Sequence, residues 1–245
     1  MHMTTGADPY QEMLDDPRLP FDLRWALVSE IDSTNRRFGV YRGFMQNWEA
    51  LVGKPAGNTF SVFEVGSGSG GLSREIANWG RKHGLTLDLH LYDAQEDVLR
   101  ASLEKFDPNA RPQIHVATPE HLAVYPDDSF DYVISLHVLH HIQPFDIAVS
   151  AVEQMMRIAR RGVLIIDLEN KPGAVTFSRI WNRLMGVSPA LSSDGIKSVQ
   201  RAHDSRRLLA ALRDAERREG MRLDLKRYPP LIPYWRLQAT PAERG

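Results

Sequence analysis

Apolar residues recur at three-to-four spacing near the start of the chain. Phe21, Trp25, Leu27 and Val28 open a stripe that Ile31, Phe38, Tyr41, Phe44 and Trp48 continue. That period predicts helix through about residue 55, and Gly53, Pro55 and Gly57 end it. Beyond this point strands and helices alternate. Strands are predicted at 60–65, 86–92, 114–117, 132–136 and 163–167, the second from the alternation of Leu87, Leu89 and Leu91 with Asp88, His90 and Tyr92. Helices are predicted at 72–81, from Val98 to Phe106, and from Pro144, with Arg157, Arg160 and Arg161 at its negative end and Gly162 just past its last turn. A late helix, capped by Asp204 or Ser205, runs to Gly220. Two last strands, 221–228 and 232–239, flank Pro229-Pro230 and predict an antiparallel hairpin. The alternation implies an α/β fold: a doubly wound, mostly parallel sheet of seven strands. We divide the chain into a helical N-terminal extension, 1–55, and a main domain, 56–245, with a lid insertion at about 168–203.

The chain has 245 residues, 42% apolar and 25% charged, which suits an ordinary globular protein. Cysteine is absent, which excludes disulfides, thiolate metal sites and cysteine nucleophiles. Lys and Arg number 30 against 31 Asp and Glu. That balance argues against a dedicated nucleic-acid binder. No apolar run approaches the ~20 residues of a membrane span, and the N-terminus lacks the basic-then-apolar pattern of a secretory leader. A cytoplasmic location is therefore expected, and a homodimer is left open. Residues 1–32 are acidic and 201–227 are basic, which reads as solvated helix faces.

The stretch Phe63-Glu64-Val65-Gly66-Ser67-Gly68-Ser69-Gly70-Gly71 follows a strand and opens a helix. Glycines there let the backbone turn sharply and approach a ligand. Gly66, Gly68 and Gly71 satisfy the dinucleotide fingerprint G-x-G-x-x-G, which would make the chain an NAD(P)-dependent oxidoreductase. Glu64 opposes that reading, because a carboxylate beside the turn suits a cationic ligand better than a pyrophosphate. The long helical prelude and the closing hairpin oppose it too.

Together these residues resemble the class I S-adenosylmethionine-dependent methyltransferases over roughly residues 35–240. The family's acid-x-G-x-G-x-G motif matches Glu64, Gly66, Gly68 and Gly70, and its acid ending the second strand matches Asp93. Pro126-Asp127-Asp128-Ser129-Phe130-Asp131 resembles its entry to strand four, and Leu139-His140-His141-Ile142 the step that follows. The resemblance implies S-adenosylmethionine as cofactor. It places Asp93 on the ribose hydroxyls, Glu64 at the methionine end, Gly66, Ser67, Gly68 and Leu136 around the methionine group, and Ala94 beside the adenine. The family's usual acid after strand three is missing, and Thr118 or backbone serves there instead. The prelude and the Ile166-Asp167-Leu168 step are similar to a bacterial quinone- and polyketide-type subgroup, which implies Arg42 for the methionine carboxylate and a small aromatic or polyketide-like acceptor, methylated at oxygen. A cofactor-binding protein without catalysis is the further alternative.

Methyl transfer from a sulfonium needs alignment more than a triad. The candidate catalytic bases are His137 and His140, with His141 adjacent; a purely structural role for them stays open. A metal site needs a third ligand, no partner carboxylate is evident, and none is expected. Phe177, Ile180, Trp181 and Leu184 form an apolar stripe predicted to roof an acceptor pocket.

Overall fold

In the computed structural model, which describes residues 12–16, 18–54, 57–229 and 232–242, seven strands form one sheet. They are β1 (Thr59–Val65), β2 (Thr86–Asp93), β3 (Gln113–Val116), β4 (Phe130–Leu136), β5 (Ala159–Leu168), β6 (Met221–Arg227) and β7 (Tyr234–Pro241). The order is β3-β2-β1-β4-β5-β7-β6. β1 to β5 are parallel, and β7 runs antiparallel between β5 and β6. The predicted sheet is the observed one. Strand order reverses at β1, which has β2 on one side and β4 on the other. In such sheets the crevice beyond the strand ends at the reversal binds ligands.

Two cores form because strand residues alternate between the sheet's faces. Val133, Val163 and Ile165 pack on one side with α5 (Phe145–Ile158) and the late helices α8 (Ser205–Ala211) and α9 (Arg213–Arg218). Ile134, Leu164 and Ile166 pack on the other with the prelude helix α2 (Val40–Val52) and with α3 (Gly71–Lys82) and α4 (Glu96–Ser102). Trp48 of α2 is fully buried against Phe60, Trp79 and Tyr132. The prelude's other helix, α1 (Phe21–Arg37), is separated from α2 by Gly39, whose φ is +75°.

Two expectations fail locally. The helix from Pro144 ends at Ile158, and Arg160, Arg161 and Gly162 lie inside β5 rather than at a helix terminus. The reason is packing: Leu51 and the Ala239 carbonyl press so closely on Gly162 that a Cβ would meet Leu51 Cδ1 at 2.8 Å. The glycine serves a close approach across the sheet. The late helix divides at Leu212, and Asp204 caps its first part by accepting from the Arg206 and Arg207 amides at 2.8 and 3.0 Å. The Pro55 breaker and Pro230 of the hairpin link lie outside the described residues. Among the described residues, no helix is long and apolar enough to cross a membrane.

Candidate active site

The loop after β1 is built around a close approach. Gly66 has φ +73°, and a Cβ there would fall 2.2 Å from Val138 Cγ2. No other residue fits without displacing the loop after β4. Gly71, the first residue of α3, sits equally tightly: a Cβ would lie 2.1 Å from Asp32 Oδ1 and 2.3 Å from the Tyr41 hydroxyl. The prelude thereby touches the glycine loop. Tyr41 donates to Asp32 Oδ1 at 2.9 Å, and Arg74 bridges Asp32 Oδ2 at 2.5 Å and the Ser69 carbonyl at 2.6 Å.

Between this loop, the end of β2 and the loop after β4 lies a cavity of about 440 Å³. Glu64, Gly66, Ser67, Gly68, Asp93, Ala94, Thr118 and Leu136 all line it, so eight of the nine expected cofactor contacts converge. Arg42 does not. It is exposed on α2 while its neighbours Tyr41 and Phe44 are buried, because the helical phase turns position 42 outward. The prelude instead contributes Val28, Ile31, Asp32, Asn35 and Tyr41. Glu120 also lines the cavity, two residues past the position where an acid was sought.

Two carboxylates set the electrostatics. Asp93 accepts the Gly68 amide at 2.9 Å on Oδ2 and the Gln95 amide at 3.0 Å on Oδ1. A carboxylate oxygen has a second lone pair, so each can take one more donor. Burial raises the Asp93 carboxyl above its ordinary value against these hydrogen bonds. Glu64 is 3% exposed, and the Ser73 hydroxyl donates to it. Burial pushes its carboxyl up to about 8, helped by Asp93 and opposed by Ser73 and Arg74. The Ser67 hydroxyl is buried and has no hydrogen-bond partner among the described residues.

The histidines separate. His137 adopts φ +57° at the end of β4, stacks on Tyr234 with ring centroids 5.0 Å apart, and leaves its buried Nε2 without a hydrogen-bond partner among the described residues. Burial, with His140 and His141 near, lowers it to about 4, so it is neutral at physiological pH. His140 hydrogen-bonds through Nδ1 to Asp167 Oδ1 at 2.7 Å. Asp167 also accepts the amides of Val138, Leu139 and Leu168. Burial alone would raise Asp167, but His140, His137 and the amides outweigh it and hold it at about 2.

A second cavity of about 190 Å³ adjoins the first, and Leu14, Ile31, Asn35, His137 and His141 line both. Its roof comes from segment 12–14, α6 (Ala174–Leu184) and α7 (Pro189–Arg201). The expected apolar stripe does not face it. Ile180, Trp181 and Leu184 are exposed, and α6 presents Ser178 and Asn182 inward. The sequence showed an amphipathic helix, but the face that packs on the protein is the one carrying Ala174, Ser178 and Asn182, four residues apart.

Residues 63–166 match the model of a methyltransferase domain family. That stretch is a methyltransferase domain. The chain is an S-adenosylmethionine-dependent methyltransferase, which decides between the two readings of the glycine loop. Magnesium protoporphyrin IX methyltransferase from Synechocystis PCC 6803, solved with S-adenosylhomocysteine, shares the fold at TM-score 0.56 and 20% identity, over 84% of this chain and 85% of that one. A putative methyltransferase from Haloferax volcanii, solved with the Trm112 methyltransferase activator, matches at TM-score 0.59 and 14% identity, over 91% and 98%. An O-methyltransferase family protein from Burkholderia thailandensis matches at TM-score 0.56 and 14% identity, over 88% and 59%. No curated protein sequence matches the chain.

The residues present fit the methyltransferase cofactor. Asp93 keeps acceptor capacity for two hydroxyls, Ser67 offers an unpaired buried hydroxyl, and Glu64 offers a carboxylate to a cation.

Proposed function

We propose that this methyltransferase acts on a small-molecule acceptor seated in the 190 Å³ cavity and methylates it at oxygen. One observation carries the reading: His137 lines both cavities, so a single ring borders the cofactor space and the acceptor space. When bound, S-adenosylmethionine supplies the electrophilic methyl carbon. The chain supplies alignment, which is where most of the rate comes from in a direct displacement. Asp93 and the Gly66–Gly68 loop fix the nucleoside, and Glu64 balances the positive charge of the methionine end. The His137 Nε2, neutral and unpartnered, accepts the acceptor's hydroxyl hydrogen and turns the oxygen lone pair toward the first cavity. Leu27, Leu168, Val199 and Tyr234 give the second cavity an apolar wall suited to an aromatic or polyketide-like ring.

The test is a product assay with S-adenosylmethionine and a panel of phenols, hydroxybenzoates and polyketide-like enols, read as S-adenosylhomocysteine formed and as methylated product by mass spectrometry. The expected result is a methyl ether or ester. His137→Gln is expected to lose at least tenfold in kcat while binding S-adenosylhomocysteine within about threefold of the native protein, since the ring that orients the acceptor oxygen is removed and misplacement of a reacting atom by about 1 Å costs ~10²-fold. Methylation at carbon, or of macromolecules alone, would overturn the reading.

A further inference from the structure

Beneath the N-terminal segment, three electron-pair donors converge that the cofactor contacts do not use. Glu12 is 5% exposed and His140 is 2% exposed. His140 Nε2 lies 3.8 Å from Glu12 Oε1, and His141 Nε2 lies 3.8 Å from Glu12 Oε2. All three donors fall within 4.8 Å of one another. The opposite nitrogen of each ring is engaged by a carboxylate: His140 Nδ1 by Asp167 Oδ1 at 2.7 Å, and His141 Nδ1 by Asp15 Oδ1 at 3.0 Å. A neutral imidazole that donates through Nδ1 presents a lone pair at Nε2, the form a metal ion selects. Both lone pairs therefore point toward a carboxylate. At 3.8 Å the gaps are too long for hydrogen bonds. The Ser198 hydroxyl holds Glu12 Oε1 at 2.7 Å, and Arg201 engages Asp15 and the His141 carbonyl.

We propose that Glu12, His140 and His141 bind one divalent transition-metal ion. Two imidazoles and a carboxylate are the donor set of open sites for zinc, iron, cobalt or manganese, whereas magnesium and calcium require oxygen ligands. Carboxylates holding the rear nitrogens are the supporting shell such ligands normally have. With metal–ligand bonds of about 2.0–2.2 Å, ligand atoms sit roughly 3–3.5 Å apart. Each 3.8 Å gap therefore closes by only a few tenths of an ångström, within reach of side-chain rotation. Three protein ligands leave coordination positions open, and all three residues line the second cavity. An acceptor oxygen seated there is the group the ion polarises. This consequence rests on the acceptor reading above, whereas the ion's binding does not. His140 is then a ligand and not a base.

The experiment uses untagged full-length protein, stripped with a chelator, with neither cofactor nor acceptor present. It is titrated with cobalt(II) by visible absorption and with zinc(II) by calorimetry. We expect one ion per chain, no competition from millimolar magnesium, and at least tenfold weaker binding in both Glu12→Gln and His141→Gln. Circular dichroism establishes that each variant is folded; Glu12 does not line the cofactor cavity, so Glu12→Gln also keeps normal S-adenosylhomocysteine affinity. The proposal is overturned if the native chain shows no saturable zinc or cobalt binding, or if folded Glu12→Gln binds the ion as tightly as the native chain. Failure here leaves cofactor binding and methyl transfer untouched.

Discussion

Glu64 makes cofactor affinity depend on pH. Burial pushes its carboxyl to about 8 in the free protein, so at pH 7 roughly nine in ten molecules hold it protonated. A cationic ligand favours the ionised form. Binding at pH 7 must therefore expel close to one proton, and the associated penalty is about tenfold in Kd relative to pH 9. Calorimetry of S-adenosylmethionine in two buffers of different ionisation enthalpy reads the proton directly. The ligand's own amino group titrates in the same range, so the comparison is with Glu64→Gln. The ratio of native to variant affinity is expected to rise about tenfold from pH 7 to pH 9. The same shift governs stability of the free protein. Because the folded-state value is raised, the stabilising contribution is complete below about pH 4.5 and is lost as pH rises through about 8. The melting temperature of the free protein should fall from pH 6 to pH 9, and less so in Glu64→Gln. An affinity ratio flat across this range, with no proton released, would refute the reasoning.

Gly66→Ala drives a methyl group into Val138 at a left-handed backbone position, so we expect loss of measurable S-adenosylhomocysteine binding and a melting temperature lowered by several degrees, read by thermal unfolding with and without ligand. Unchanged ligand stabilisation would remove the close approach from the account. Trp181→Ala is expected to leave KM for the acceptor within about twofold, because Trp181 is 41% exposed and packs edge-on against Phe38 and stacked on Phe177 rather than on the cavity. A tenfold rise in KM would restore the stripe as a lid.

The sheet was legible because parallel strands buried on both faces read as dense apolar runs, such as Val163 to Ile166, and because each turn carried its own residues. The cofactor loop was legible because its glycines, Glu64 and Asp93 lie close to strand ends, where sequence distance and space agree. What failed depends on long-range packing. Gly162 has the chemistry of a helix stop, yet the contact with Leu51, more than a hundred residues earlier, makes it a strand residue. The phase of α6 could be read, but not which of its faces meets the protein. Arg42 was one residue out of phase with the helix face that meets the cofactor cavity. Glu12 could not be found at all: nothing local to the His140-His141 pair signals a carboxylate 128 residues upstream of His140. Asp167 stood in a quoted motif, but its hold on His140 and the loop after β4 appears only in three dimensions.

The central claim is that the loop at Gly66–Gly68 and the carboxylate of Asp93 together hold the nucleoside of the methyl donor. Isothermal titration of S-adenosylhomocysteine into the native chain and into Asp93→Ala tests it most directly. We predict one site per native chain and at least tenfold weaker binding in the variant, about 1.4 kcal/mol or more. Equal dissociation constants for the two proteins, or no binding heat with folded native protein, would contradict it.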